Sequence, residues 1–298
     1  MTTESRNARS VDIDILPTER ILRIINAEDA TIARAVETAI PEIAKVVDAA
    51  VEAIRSAGRV FYVGAGTSGR QALLDAAECP PTFGTPGEWV QAILAGGPNA
   101  FHKASEGQED DRSQAVADLR ANKIGVTDLV VGIAASGKTP YTLTALEFAK
   151  KCGAKTVAIV AVPGSPIEKI ADLTICTPVG AEVISGSTRM KAGTAQKMVL
   201  NMISTTTMIR LGMTYSNWMI NVSMTNQKLR ERGMQILRQI LGLHDDELKR
   251  LVDQSGGDLK VAVVMGALAC DRTQAQRLLK ENGGDLRRIV AHLGTGRE

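Results

Sequence analysis

Aromatic residues are scarce in this chain: Phe, Tyr and Trp together make up 3% of its 298 residues. Hydrophobic residues still reach 44%, so the core must be built from Ala, Val, Ile and Leu, as suits helices packed closely on a sheet. Histidine occurs three times (His102, His244, His292) and never at ligand spacing, which excludes a zinc site of the usual kind. The four cysteines (Cys79, Cys152, Cys176, Cys270) lie far apart with no C-x-x-C pair and read as reduced thiols of a cytosolic protein. No charge of one sign dominates. The formal net charge is +2, with basic and acidic residues dispersed, so no nucleic-acid footprint is present. The polar opening "MTTESRNARSVDIDILPTER" has no apolar signal core, and the most apolar run, "VAVVMGALAC", is too short to span a bilayer. The expectation is a soluble cytoplasmic protein without membrane or nucleic-acid partners.

What the chain does have is alternation. "TIARAVETAIPEIAKVVDAAVEAIRSAG" carries apolar residues at helical spacing and stops at Gly58. "RVFYVGAGTSGRQALLDAAE" then reads as strand, glycine turn and helix, and "DLVVGIAASGKTPYTLTALEFAKKCG" repeats the unit. "KTVAIVAV" and "DLTICTP" read as two more strands, and a long helix begins near "TAQKMVLNMISTTTMIRLG". Short strands alternating with helices predict an α/β fold, a parallel sheet with helices on both faces. After residue 243 strand signals cease, and "SGGDLK" and "NGGDLR" punctuate short helices in which Asp258 and Asp285 serve as caps. The predicted division is 1–243 for the α/β domain and 244–298 for a small helical module.

In open parallel sheets ligands bind beyond the carboxyl ends of the strands, where helix N-termini offer free N–H groups to an anion. Two glycine turns occupy such junctions: Gly64-Ala65-Gly66-Thr67-Ser68-Gly69 and Ala135-Ser136-Gly137-Lys138-Thr139. The second lies within Gly132–Thr139, which satisfies the Walker A spacing G-x-x-x-x-G-K-[ST]. A nucleotide triphosphatase also needs an acidic residue ending a later strand to help hold magnesium, and neither "VAIVAV" nor "LTICTP" supplies one. Gly132 moreover sits inside the apolar strand. The loops therefore read as a cradle for some other phosphate. A third stretch, Gly186-Ser187-Thr188-Arg189-Met190-Lys191, gathers hydroxyls and cations at a helix start, more than one cap requires, and reads as a further anion site.

Together "VGAGTSGR", "DAAECPPTFGTP", "SEGQEDDR", "GIAASGKTPY" and "GSTRMKAGTAQK", with "TTESRN" and "IINAEDA" upstream, resemble the N-acetylmuramic acid 6-phosphate etherases, enzymes built on the sugar isomerase (SIS) domain. The resemblance runs over nearly the whole chain. It implies a flavodoxin-like sheet, a homodimer, a C-terminal module of the ubiquitin-associated type and no metal or other cofactor. It also implies release of D-lactate from a sugar phosphate, giving N-acetylglucosamine 6-phosphate, in recycling or catabolism of cell-wall sugars. Substrate-binding residues on this reading are Gly66, Thr67, Ser68, Ser136, Gly137, Lys138, Thr139, Ser187, Thr188, Arg189 and Lys191.

Such an elimination needs an acid and a base. Glu78 precedes Pro80-Pro81 at a helix end, and Glu109 stands among Glu106, Asp110 and Asp111. On spacing alone each reads as a solvated carboxylate, and only the resemblance singles them out as catalytic. The apolar sequence around Glu78 marks it as the acid, and the polar sequence around Glu109 marks it as the base. Two other readings share these loops: a sugar-phosphate sensor that binds without chemistry, and an isomerase using the same C2 proton.

Overall fold

The computed structural model describes residues 3–103, 106–221, 224 and 227–290, and the chain packs as two compact units. The first is Met1–Ala77 with Gly87–Thr205, and the second is Glu78–Pro86 with Thr206–Glu298.

The first unit opens with α1 (Thr18–Asp29), α2 (Ile32–Glu37) and α3 (Ile40–Arg55). The single helical pattern of the sequence breaks between α2 and α3 because Pro41, in the first turn of α3, has no N–H to continue the ladder. Gly58 follows α3 where a Cβ would stand 2.0 Å from the Thr127 carbonyl oxygen, so the chain can turn into the sheet only without a side chain. Then come β1 (Val60–Gly64), α4 (Gly66–Phe83), β2 (Val90–Leu94), α5 (Asn99–His102), α6 (Arg112–Ala121), β3 (Leu129–Ile133), α7 (Pro140–Lys151), β4 (Lys155–Val160), β5 (Leu173–Cys176) and α8 (Lys191–Arg210).

The five strands pair in the order β2-β1-β3-β4-β5, all parallel, which is the flavodoxin-like order with its switch point between β1 and β3. Every residue of β1 and β3 is buried, as their continuous apolar sequences require. Gly132 sits within β3, where a Cβ would come 2.9 Å from Leu146 Cγ, and its absence lets α7 seat directly on the strand. Strand β2 has no counterpart in the sequence reading. It lies at the sheet edge and interposes Gln91 among Val90, Ala92, Ile93 and Leu94, so it lacks the unbroken apolar run of β1 and β3.

The second unit is helical: α9 (Gln227–Leu241), α10 (Asp245–Ser255), α11 (Leu259–Leu268), α12 (Arg272–Glu281) and α13 (Leu286–Ile289). Asp258 accepts from the Val261 amide and Asp285 from the Arg287 amide, each after a pair of glycines with positive φ, as the two Gly-Gly-Asp stretches predict. Packing sets the division after Thr205 rather than at 243, because Ile236, Leu237 and Ile240 of α9 share a core with Leu248, Val263 and Leu286. Residues 78–86 join this unit through Asn221, whose amide donates to the Phe83 carbonyl at 2.7 Å.

Candidate active site

Gly64 ends β1 opposite Ile133 at the end of β3, so the two hydroxylated loops leave adjoining strands at the switch point. In the first loop Gly66 takes φ +53°, and Gly69 packs so tightly on the end of β1 that a Cβ would lie 2.5 Å from the Gly64 oxygen. Helix α4 therefore starts directly against the strand, with Thr67 and Ser68 in its first turn. In the second loop Gly137 takes φ +63°, and a Cβ there would meet Ser165 Oγ at 2.3 Å. The Ile167 amide donates to the Gly137 carbonyl, and Glu168 clamps both the amide and the hydroxyl of Ser165. This turn after β4 braces the loop from behind. The Lys138 amide donates to Ser136 Oγ at 3.2 Å, which leaves the serine hydrogen to be given elsewhere. Lys138 is exposed, and Thr139 stands at the N-terminus of α7.

Helix α8 brings the third stretch to the first loop. Ser68 Oγ donates to Gln196 Oε1 at 3.0 Å, and Gly193 lies between the Thr67 methyl and the Thr188 carbonyl. Thr67, Ser68 and Thr188 thus gather at the start of α8. Ser187 is half-buried in the same turn, and Arg189 is exposed.

Lys191 departs from the expected anion site. It is 3% exposed, and its ammonium lies 2.6 Å from Glu28 Oε2, with Arg9 on the other carboxylate oxygen at 3.2 Å. Burial alone would raise the Glu28 carboxyl, but hydrogen bonds from Lys191 and Asn7 and the charges of Lys191 and Arg9 hold it below the ordinary carboxylate value. The N–H groups that open α8 are also taken. Glu182, fully buried, accepts from the amides of Lys191 and Ala192 at 2.8 and 2.9 Å. The anion at this helix N-terminus is the protein's own carboxylate.

Glu109 is exposed on a 3-10 turn, Glu106–Asp110. That turn packs on α7, its Gln108 lies against Gly96 just beyond β2, and the following Asp111 is close enough to bear on the hydroxyl of Tyr141. The turn therefore lies at the carboxyl end of the sheet. Glu78 is also exposed, on the last turns of α4, so the apolar surroundings expected of it are not those of a buried acid. A cavity of ≈ 550 Å³ opens elsewhere, beside β2, lined by Leu73, Leu74, Ile93 and Phe101. Among the described residues that line it there is no serine or threonine to offer a phosphate.

Family models match residues 42–150 (glucokinase regulatory protein N-terminal SIS domain) and 113–206 (SIS domain). Proteins named N-acetylmuramic acid 6-phosphate etherase from Rhizobium rhizogenes and Geobacillus thermodenitrificans are 46% and 47% identical to it. The alignments cover 98% and 97% of this chain and 95% and 98% of theirs. This chain belongs to the N-acetylmuramic acid 6-phosphate etherase family. The solved structure of a phosphoheptose isomerase from Francisella tularensis has the same fold, with TM-score 0.50 and 16% identity over 66% of this chain and 100% of that one.

Within the etherase chain, three residues that sequence reasoning passed over shape the loops: Ser165, Glu182 and Gln196. Their partners are 28, 9 and 128 positions away, and nothing in local spacing marks them. Only "GTAQK", inside the quoted motif, contained one of them.

Proposed function

We propose that this chain cleaves the D-lactyl ether of N-acetylmuramic acid 6-phosphate. The observation that carries the reading is the pair of hydroxylated loops on adjoining strand ends, in a chain of this family. Thr67, Ser68, Ser136, Lys138 and Thr139, with the backbone at Gly66 and Gly137, hold the phosphate, and Ser187, Thr188 and Arg189 border it. Lys191 is left out, because its charge is spent on Glu28.

In the open-chain sugar the C1 aldehyde acidifies C2. Glu109 takes the C2 proton, the C3–O bond breaks, and Glu78 protonates the departing lactyl oxygen. Water then adds across the C2–C3 double bond, its hydroxyl to C3, giving N-acetylglucosamine 6-phosphate and D-lactate. The reaction is a lyase-type elimination followed by hydration, and it draws on no group beyond these side chains.

The proposal includes a homodimer, as the family resemblance implies. The proposed setting is the cytoplasm, where reduced thiols persist: none of the four cysteines is in a disulfide, and burial and the charge of Glu168 push the Cys176 thiol up to about 11. Among the described residues no helix is long and apolar enough to cross a membrane.

The test is incubation with N-acetylmuramic acid 6-phosphate and an enzymatic assay for free D-lactate. Stoichiometric lactate is expected. Saturable binding with no lactate would replace the etherase reading by that of a sugar-phosphate sensor.

A further inference from the structure

Gln196 is 2% exposed, and its side-chain oxygen accepts the Ser68 hydroxyl at 3.0 Å. Its Nε2 is buried with no partner among the described residues. A buried amide donor left unpaired is costly, because it has given up water and gained nothing. The same arrangement occupies the one hydrogen that Ser68 has to give, so that the hydroxyl has nothing to offer a phosphate. Ser136 in the other loop is held the opposite way, accepting from the Lys138 amide and keeping its hydrogen free.

A half-turn of the Gln196 amide removes both defects. The nitrogen and oxygen of a glutamine amide occupy nearly equivalent positions, so the turn needs no movement of α8 or of the first loop. Nε2 then donates to Ser68 Oγ, and the Ser68 hydrogen is released toward the switch point. Oε1 becomes the unpaired atom, and buried acceptors are left under-satisfied more readily than donors.

We infer that Gln196 is a positioning residue that aims the Ser68 hydroxyl at the substrate phosphate by presenting its amide nitrogen to the serine oxygen. The inference rests on the sugar-phosphate reading above. Gln196 is too deeply buried to touch the sugar itself and acts through Ser68 alone. Its effect on binding must therefore vanish when the Ser68 hydroxyl is removed, which a residue that merely packs α8 against α4 would not do.

The experiment is a double-mutant cycle read by calorimetric titration of N-acetylglucosamine 6-phosphate into wild type, Ser68→Ala, Gln196→Met and the double variant, each first checked for a cooperative thermal transition. Ser68→Ala should weaken binding about tenfold. Gln196→Met should weaken it about fivefold alone and not at all in the Ser68→Ala background. An equal loss in both backgrounds, or no loss in either, overturns the inference while leaving the functional reading intact. A wild-type protein that fails to bind the sugar phosphate overturns both. Should Gln196→Met not fold, Gln196→Glu takes its place. Its carboxylate holds the Ser68 hydrogen permanently, so its loss should shrink several-fold once Ser68 is alanine, and an undiminished loss counts against the inference.

Discussion

Ser136 has its oxygen engaged by the Lys138 amide and its hydrogen free, so truncation removes one donor aimed from a rigid loop. Ser136→Ala should weaken sugar-phosphate binding by about 1–3 kcal/mol, the range for a hydrogen bond to a charged group, with little change in thermal midpoint. Calorimetric titration against N-acetylglucosamine 6-phosphate checks it, and wild-type affinity would remove Ser136 from the site. Lys191 calls for the opposite result. Lys191→Met leaves the buried Glu28 carboxylate with only the exposed Arg9 as a cationic partner and should cost up to about 3–5 kcal/mol in denaturant unfolding. Because folding lowers the Glu28 value, the pair stabilises the fold above the ordinary glutamate range near 4.3 and ceases to do so as pH falls through the folded value. The gap between wild type and variant should therefore be widest at neutral pH and narrow in acid; a gap that widens in acid would contradict the pairing. What was legible at Ser136 is its place, a hydroxyl in a glycine turn at the end of an apolar strand, which the structure keeps at the end of β3. Lys191 was misread as a ligand because Glu28, its partner, lies 163 positions away.

Elements were legible where one element explains its own sequence. The apolar runs of β1 and β3 and the Gly-Gly-Asp caps of the second unit belong to this class. The edge strand β2 and the N-terminal strap do not. In the strap Ser10 and Asn7 donate to the Val183 and Ala181 carbonyls and the Gly186 amide donates to the Thr3 carbonyl, so residues 3–10 hold the loop before α8 from the far end of the chain. Helices α4 and α8 meet at a further element-scale feature, the buried Asp75 with Lys197 at 3.4 Å and Ser204 at 3.3 Å. Burial raises the Asp75 carboxyl above its ordinary value, against the lowering effects of Lys197, Ser204 and Tyr62. The folded state thus binds the Asp75 proton more tightly than the unfolded chain, and this residue loses stabilising effect as pH rises from the ordinary aspartate range to the raised one. Asp75→Asn should gain stability relative to wild type as pH rises through that window, from the ordinary aspartate range upward. Denaturant melts at a series of pH values measure it, and a constant or falling difference would mean that the Lys197 pairing outweighs burial.

At the scale of the whole molecule, Val199, Leu200, Ile203 and Met208 of α8 are buried in the chain's own interior and offer no surface to a second copy. The homodimer proposed above rests on the family resemblance, and we propose that its sites are shared between the two copies. On that proposal the base, Glu109, comes from one copy and the acid, Glu78, from its partner. This arrangement makes two defective chains complementary. Glu78→Ala alone should stop lactate release while retaining exchange of the C2 hydrogen in deuterated water, and Glu109→Ala alone should lose both. Unfolding the two variants together and refolding them as a mixture forms hybrid dimers. Each hybrid contains one site with Glu109 of the first chain and Glu78 of the second, both intact, and one site with neither. Lactate release should therefore return on mixing, to roughly a quarter of the wild-type rate if pairing is random and half the dimers are hybrids with one good site each. Sites contained within single chains would give no recovery at any mixing ratio, since every chain would still lack one carboxylate.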